Sequence, residues 1–75
     1  MVRARDVNRR IERLGGLMAC QVGSHRRYVV SYSDAEGRQQ TVGTTVAQHA
    51  GDIPVGTLRA IERDLEPAFG KGWLR

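Results

Sequence analysis

Apolar side chains at the start of the chain fall at Ala4, Val7, Ile11 and Leu14. Spacings of three and four put them on one face of an α-helix, and Gly15-Gly16 supplies its stop signal. Leu17 to Val22 is then a short apolar run, read as a strand with Met18, Cys20 and Val22 on one side. In the next run Tyr28, Val30 and Tyr32 alternate with Arg27, Val29, Ser31 and Ser33, the period of a second strand. Asp34-Ala35-Glu36-Gly37 reads as a hairpin loop, with Asp34 bonding its own turn. A third strand carries Gln40, Val42, Thr44 and Val46 on one face, and Gly43 inside it marks a bulge. After a loop from Ala47 to Gly51, Asp52-Ile53-Pro54 opens a second helix, with Asp52 as its cap and Pro54 in its first turn. Leu58, Ile61 and Leu65 line one side of that helix, and Pro67 ends it at Glu66. Phe69, Trp73 and Leu74 in the tail are read as hydrophobic anchors in preference to a base-stacking platform.

The order helix, strand, strand, strand, helix predicts an α+β fold. Three antiparallel strands bury one face under both helices, giving a two-layer α-β-β-β-α sandwich that resembles the double-stranded-RNA-binding fold. Such a resemblance does not by itself carry function. Seventy-five residues form one domain, 1–75, with 66–75 as a C-terminal extension. At 40% hydrophobic and 27% charged residues, the composition is that of a folded domain and not of a disordered chain. No apolar run approaches the roughly 20 residues of a membrane helix. The N-terminal residues lack the apolar core of a secretory signal, so the expectation is a cytoplasmic protein with no membrane partner. Cys20 has no second cysteine to pair with and is read as a buried structural thiol in preference to a reactive one.

Charge changes this picture. The net charge is +4, and residues 1 to 27 hold seven arginines against Asp6 and Glu12. Arg5, Arg9 and Arg13 follow at intervals of four, so they stack along one helix face and repel one another by a few tenths of a kcal/mol per pair. That stripe is either a landing surface for a polyanion or a solvated face relieved by Asp6 and Glu12. The dominance of arginine over lysine suits bidentate phosphate contacts and favours nucleic acid.

Candidate chemistry is concentrated at Gly23-Ser24-His25, between the first two strand patterns. An imidazole exchanges protons near neutral pH, and Arg26 and Arg27 directly after it can hold a phosphate. With RNA the nucleophile is already present as the 2′-hydroxyl, so one base suffices to start cleavage, and neither metal nor cofactor is called for. The remaining His, Cys and acidic residues show no zinc spacing and no paired carboxylates of a two-metal nuclease. Glu62 and Glu66 share a helix face and are read as solvating it. Ser24 is a turn former or an orienter of His25.

Helix one ending at Gly15-Gly16, Gly23-Ser24-His25 with Tyr28 three residues on, and Gly56-Thr57-Leu58-Arg59-Ala60-Ile61 opening the last helix together resemble the HicA toxins of bacterial toxin–antitoxin pairs. The resemblance covers roughly residues 3 to 65. It implies a metal-independent mRNA interferase that needs the histidine matching His25 and is blocked by a HicB-type antitoxin. Two departures stand out: the connection Gly43 to Gln48 is longer than usual, and Glu62 to Arg75 replaces a common short ending. His49 falls near the family's second histidine, either as an acid that protonates the leaving 5′ oxygen or as a plain loop residue. Arg59 contacts either phosphate or antitoxin. The expected RNA-binding set is therefore Arg5, Arg9, Arg13, Arg26, Arg27 and Arg59. The competing readings are a non-catalytic RNA-binding module and an inactive ligand of an antitoxin-like partner.

Overall fold

The computed structural model describes residues 2–75, ordered α1 (Ala4–Arg13), β1 (Leu17–Val22), β2 (His25–Ser33), β3 (Gln39–Ala47) and α2 (Val55–Phe69). This is the α-β-β-β-α succession expected from the hydrophobic pattern. Helix α1 starts with the Arg3 N–H donating to the Asp6 carboxylate at 3.0 Å. A guanidinium has no acceptor, so only this half of a capping box is made. The helix closes in a Schellman motif: Gly15 N–H donates to Glu12 O at 3.1 Å and Gly16 N–H to Ile11 O at 2.9 Å. That closure needs Gly15 at a φ of +103°, a region that side chains disfavour.

The strands form one antiparallel sheet in the order β1-β2-β3. Its alternation separates two faces. Tyr28, Val30, Thr44 and Val46 are buried beneath the helices, joining Val7, Ile11, Ile61 and Leu65 in the core. His25, Arg27, Ser31 and Thr45 lie on the alternate positions and are exposed. Thr44, though buried, donates its hydroxyl to the Asp64 carboxylate of α2 at 2.9 Å, so no polar group is stranded there.

Two expectations about the strands are corrected. Gly43 sits opposite Val29 in a register that runs unbroken from His25↔Ala47 to Ser33↔Gln39, so it marks no bulge. The irregularity lies in β1, where Met18 pairs with Tyr28 but Cys20 pairs with Arg27. The extra residue, Ala19, switches the side chains between faces. Met18 therefore takes the helix-side phase, while Cys20 and Val22 take the open one. All six residues of β1 are exposed, because it is an edge strand with no layer over its open side. Cys20 is consequently an exposed free thiol and not a buried structural one.

The β2–β3 loop obeys its sequence. Asp34 Oδ1 accepts from Glu36 N and Arg38 N, both at 2.9 Å, and Oδ2 accepts from Gln40 Nε2 at 3.1 Å. These bonds, that from Arg38 first, hold the Asp34 carboxyl below its ordinary range. A group with a depressed folded pKa contributes stability above its unfolded pKa and loses it as pH falls through the folded one. Acidification below the usual aspartate range is therefore expected to loosen this loop first. Faster amide exchange at Glu36 and Arg38 than at mid-strand Val30 would register it; equal protection would refute it.

Helix α2 differs from expectation at both ends. Its cap position is Pro54, without a side-chain cap bond. Asp52 lies outside the helix in an isolated bridge with Arg3, closed by Ile53 N–H to Val2 O at 2.8 Å. At the other end the helix passes through Pro67 and stops at Phe69. An interior proline costs about 3 kcal/mol; packing of Ala68, Phe69 and Trp73 on the core opposes that cost. The tail anchors as expected: Trp73 is buried, stands edge-on to Phe69 at 5.1 Å, and donates its indole N–H to Glu62 O at 2.7 Å. Arg10 Nε reaches the Trp73 carbonyl at 3.1 Å and ties the tail to α1. Glu62, read as a solvated residue, is instead buried, accepting from Leu74 N–H at 3.3 Å and pairing with Arg75 at 3.2 Å.

Candidate functional site

Four residues make the turn between β1 and β2: Val22 and His25 pair across it, and Gly23-Ser24 occupy its centre. Gly23 has a φ of +58° and Ser24 does not share that sign, the signature of a type II′ corner, which requires glycine at its first central position. The corner is braced from two sides. Gln21 Nε2 donates to Gly23 O at 3.1 Å, and Gln48 N–H donates to Ser24 O. Ser24 thus acts through its backbone as a turn former.

The fixed corner presents His25 as the first residue of β2, exposed and on the open face of the sheet. Backbone pairing to Val22 and Ala47 on either side holds its Cα in a central strand. Arg27 lies two positions along on the same face. Its Nη1 donates to Thr45 Oγ1 at 3.2 Å, which lays the guanidinium across the sheet. Gly43 makes the room: a Cβ there would stand 2.7 Å from Arg27 Nη2 and 3.0 Å from Tyr28 O. The glycine read as a bulge is therefore the floor under this guanidinium. Gly43→Val is expected to lift Arg27 from the sheet and destabilise the fold by about 1–3 kcal/mol. Urea denaturation measures the cost, and unchanged stability would mean that the sheet takes a side chain at this position without strain.

Arg26 has the opposite phase. Its Nε donates to Gln21 Oε1 at 2.9 Å and its Nη1 to the Tyr28 hydroxyl at 3.3 Å, while that hydroxyl donates to Glu12 at 2.9 Å. Burial first, with Glu12 assisting, raises the Tyr28 pKa against the opposing pull of Arg26, so the phenol stays protonated and can serve as the donor. Arg26 thus links the histidine corner to α1, and of the two consecutive arginines only Arg27 shares the side of His25. This relay joins residues 2, 5 and 16 positions apart, and no spacing rule in the sequence signals the whole of it.

The other expected residues divide into separate places. Arg5, Arg9 and Arg13 are exposed along α1. Arg5 reaches the histidine end of the sheet, where it lines a shallow recess with Arg3, Gln48 and His49. Arg59 lies apart, in a hollow of α2 with Val55, Leu58 and Leu74. Gly56, in the first turn of that helix, has open space around it.

His49 is exposed two residues beyond Ala47, the strand partner of His25, so both histidines stand at one end of the sheet. What fixes the chain there was invisible in the sequence: the Asn8 and Gln48 amides exchange hydrogen bonds at 2.7 and 3.2 Å across forty residues. On the open face Val22, the strand partner of His25, is 74% exposed, and Leu17, at the other end of β1 opposite Val29, is 70% exposed. Among the described residues, no three His, Cys, Asp or Glu side chains converge on a point that could hold a metal ion. Among the same residues, no helix is long and apolar enough to cross a membrane.

Residues 4–66 match the family model described as the HicA toxin of bacterial toxin–antitoxin systems. No curated protein and no solved structure matches the chain.

Proposed function

The chain belongs to the HicA toxin family, and from that premise we propose that it is a cytoplasmic endoribonuclease that cleaves mRNA with His25 and is held inactive by a HicB-type antitoxin. The observation that carries this reading is the exposed imidazole at a braced corner, with Arg27 laid flat on the same open face. In the proposed reaction His25 accepts the proton of a ribose 2′-hydroxyl. The 2′ oxygen bonds to the adjacent phosphorus, the bond from phosphorus to the 5′ oxygen breaks, and that oxygen takes a proton from His49 or water. The products are a 2′,3′-cyclic phosphate and a 5′-hydroxyl, and no electron is gained or lost.

Arg27 supplies fixed positive charge where the phosphorane carries two negative oxygens. Arg5, Arg9 and Arg13, exposed on α1 in the other layer, add a second positive surface that draws the RNA backbone in a salt-dependent way. An antitoxin that covers Val22, the strand partner of His25, would remove exposed apolar surface and the approach to His25 together.

Purified protein incubated with mRNA in EDTA is expected to give fragments ending in 2′,3′-cyclic phosphate. His25→Ala protein should leave the RNA intact, and co-purified antitoxin should suppress cleavage by the wild type. RNA that is bound but never cut would favour the plain binding module, whereas cleavage abolished by EDTA would remove the metal-independent route.

A further inference from the structure

The loop that carries His49 separates two hollows, and together they have the chemistry of a single nucleotide. One is a recess of about 260 Å³ between the end of β3 and the start of α2, with Ala47, Ala50, Ile53, Pro54 and Ile61 as its apolar walls. Pockets that hold whole small-molecule ligands begin near 300 Å³, so this one fits a planar base better than a base with its sugar and phosphate. The second, on the far side of His49-Ala50-Gly51, is more open and is lined by Arg3 and Arg5. Apolar walls suit the two faces of a base, and paired guanidinium groups suit its phosphate.

We propose that these adjoining hollows form a base-specific subsite for the RNA nucleotide beside the scissile phosphate, with guanine the preferred base. The assignment rests on RNA being the substrate and adds to that reading the selection of where the strand is cut. Position supports it. Ala47 lines the recess and is the direct strand partner of His25, and Gln48 N–H bonds the carbonyl of Ser24, so recess and histidine corner are one hydrogen-bonded unit.

The preference for guanine comes from Asp52. Asp52 is one of the residues that line the recess, is exposed, and takes no part in the ion pairs formed among the described residues, Glu36–Arg38 and Glu62–Arg75. A carboxylate is an acceptor with two oxygens. Guanine alone offers two adjacent donors, N1–H and the N2 amino group, to such a pair. Adenine and cytosine present one amino group on that edge beside a ring acceptor, and uracil presents one imino N–H between two carbonyls that the carboxylate repels. His49, on the rim shared by both hollows, can stack on the base or bond its phosphate.

The test is a titration of isotopically labelled full-length protein with guanosine and uridine 5′-monophosphates, followed through backbone amide resonances. Guanosine monophosphate is expected to shift Ala50, Gly51, Asp52 and Thr57, and to bind about tenfold more tightly than uridine monophosphate, the scale of one good bidentate base contact. Asp52→Asn should bring the two affinities within about twofold, and Arg5→Glu should weaken both. Cleavage sites mapped on a mixed-sequence RNA should cluster at guanosines in the wild type and spread to other bases in Asp52→Asn.

Equal affinity for the two nucleotides, shifts confined to other residues, or no shifts at all would overturn the subsite. Each of those results combined with His25-dependent cleavage leaves the nuclease reading intact. Selective guanosine monophosphate binding by a protein that cuts no RNA would reject the nuclease and retain the subsite.

Discussion

His25→Ala is expected to lower RNA cleavage by about 10²- to 10⁴-fold, the contribution of a positioned general acid or base. Folding should be nearly untouched. The side chain is exposed at the edge of a two-residue turn whose bracing comes from Gln21, Gln48 and backbone atoms, and surface substitutions of that kind fall within about 0.5 kcal/mol. RNA affinity should also persist, because Arg27 keeps its bond to Thr45 and the α1 arginines are left unchanged. The variant therefore separates proton transfer from binding: single-turnover cleavage measures the first and filter binding the second. A variant that binds RNA normally and still cuts it at the wild-type rate would remove His25 from the chemistry. One that fails to bind would make it a contact and not a base.

Trp73→Ala should come close to unfolding the protein. The indole is 5% exposed, packs edge-on against Phe69 and donates to the Glu62 carbonyl. Large-to-small changes of a buried tryptophan cost about 3–5 kcal/mol. At about 0.05–0.15 kcal/mol per residue, a chain of 75 residues has roughly 4–11 kcal/mol to lose. Trp73→Phe keeps most of the ring contact and gives up the N–H donor, so its cost should stay nearer about 1 kcal/mol. Urea denaturation distinguishes the two. Equal, small effects would mean that the tail is an appendage; the large gap expected between them would mean that residues beyond the family match at 66 complete the core.

This second result bears on how the chain is divided. Pro67 reads as a helix stop, and by local preference it is one. The helix nevertheless continues to Phe69, because three further residues bring the Phe69 and Trp73 rings together over the core. Glu62 was misread for a related reason: a charged residue at a polar helical position is solvated unless a tail folds back over it. Here Trp73, Leu74 and Arg75 do so.

Local features were legible. The Gly15-Gly16 stop, the Asp34 loop and the Gly23-Ser24 corner each depend on backbone geometries that only a few residue types tolerate, so the sequence writes them directly. Alternation placed Tyr28, Val30, Thr44 and Val46 on one face correctly, since a strand has period two wherever its register is unbroken. In β1 the same rule failed after a single extra residue, and Cys20 went to the exposed face.

The site divides along the same line. Sequence alone determined the order of elements, the corner that holds His25 and the excess of arginine near it, because these follow from neighbours along the chain. Tertiary structure alone decided that Arg27 and not Arg26 shares the face of His25, that Asn8 clasps Gln48, and that Arg3, Arg5 and Asp52 gather around His49. Those juxtapositions join residues tens of positions apart, and what selects them is burial of the common core of α1, the sheet and α2, a quantity that no local window of sequence contains.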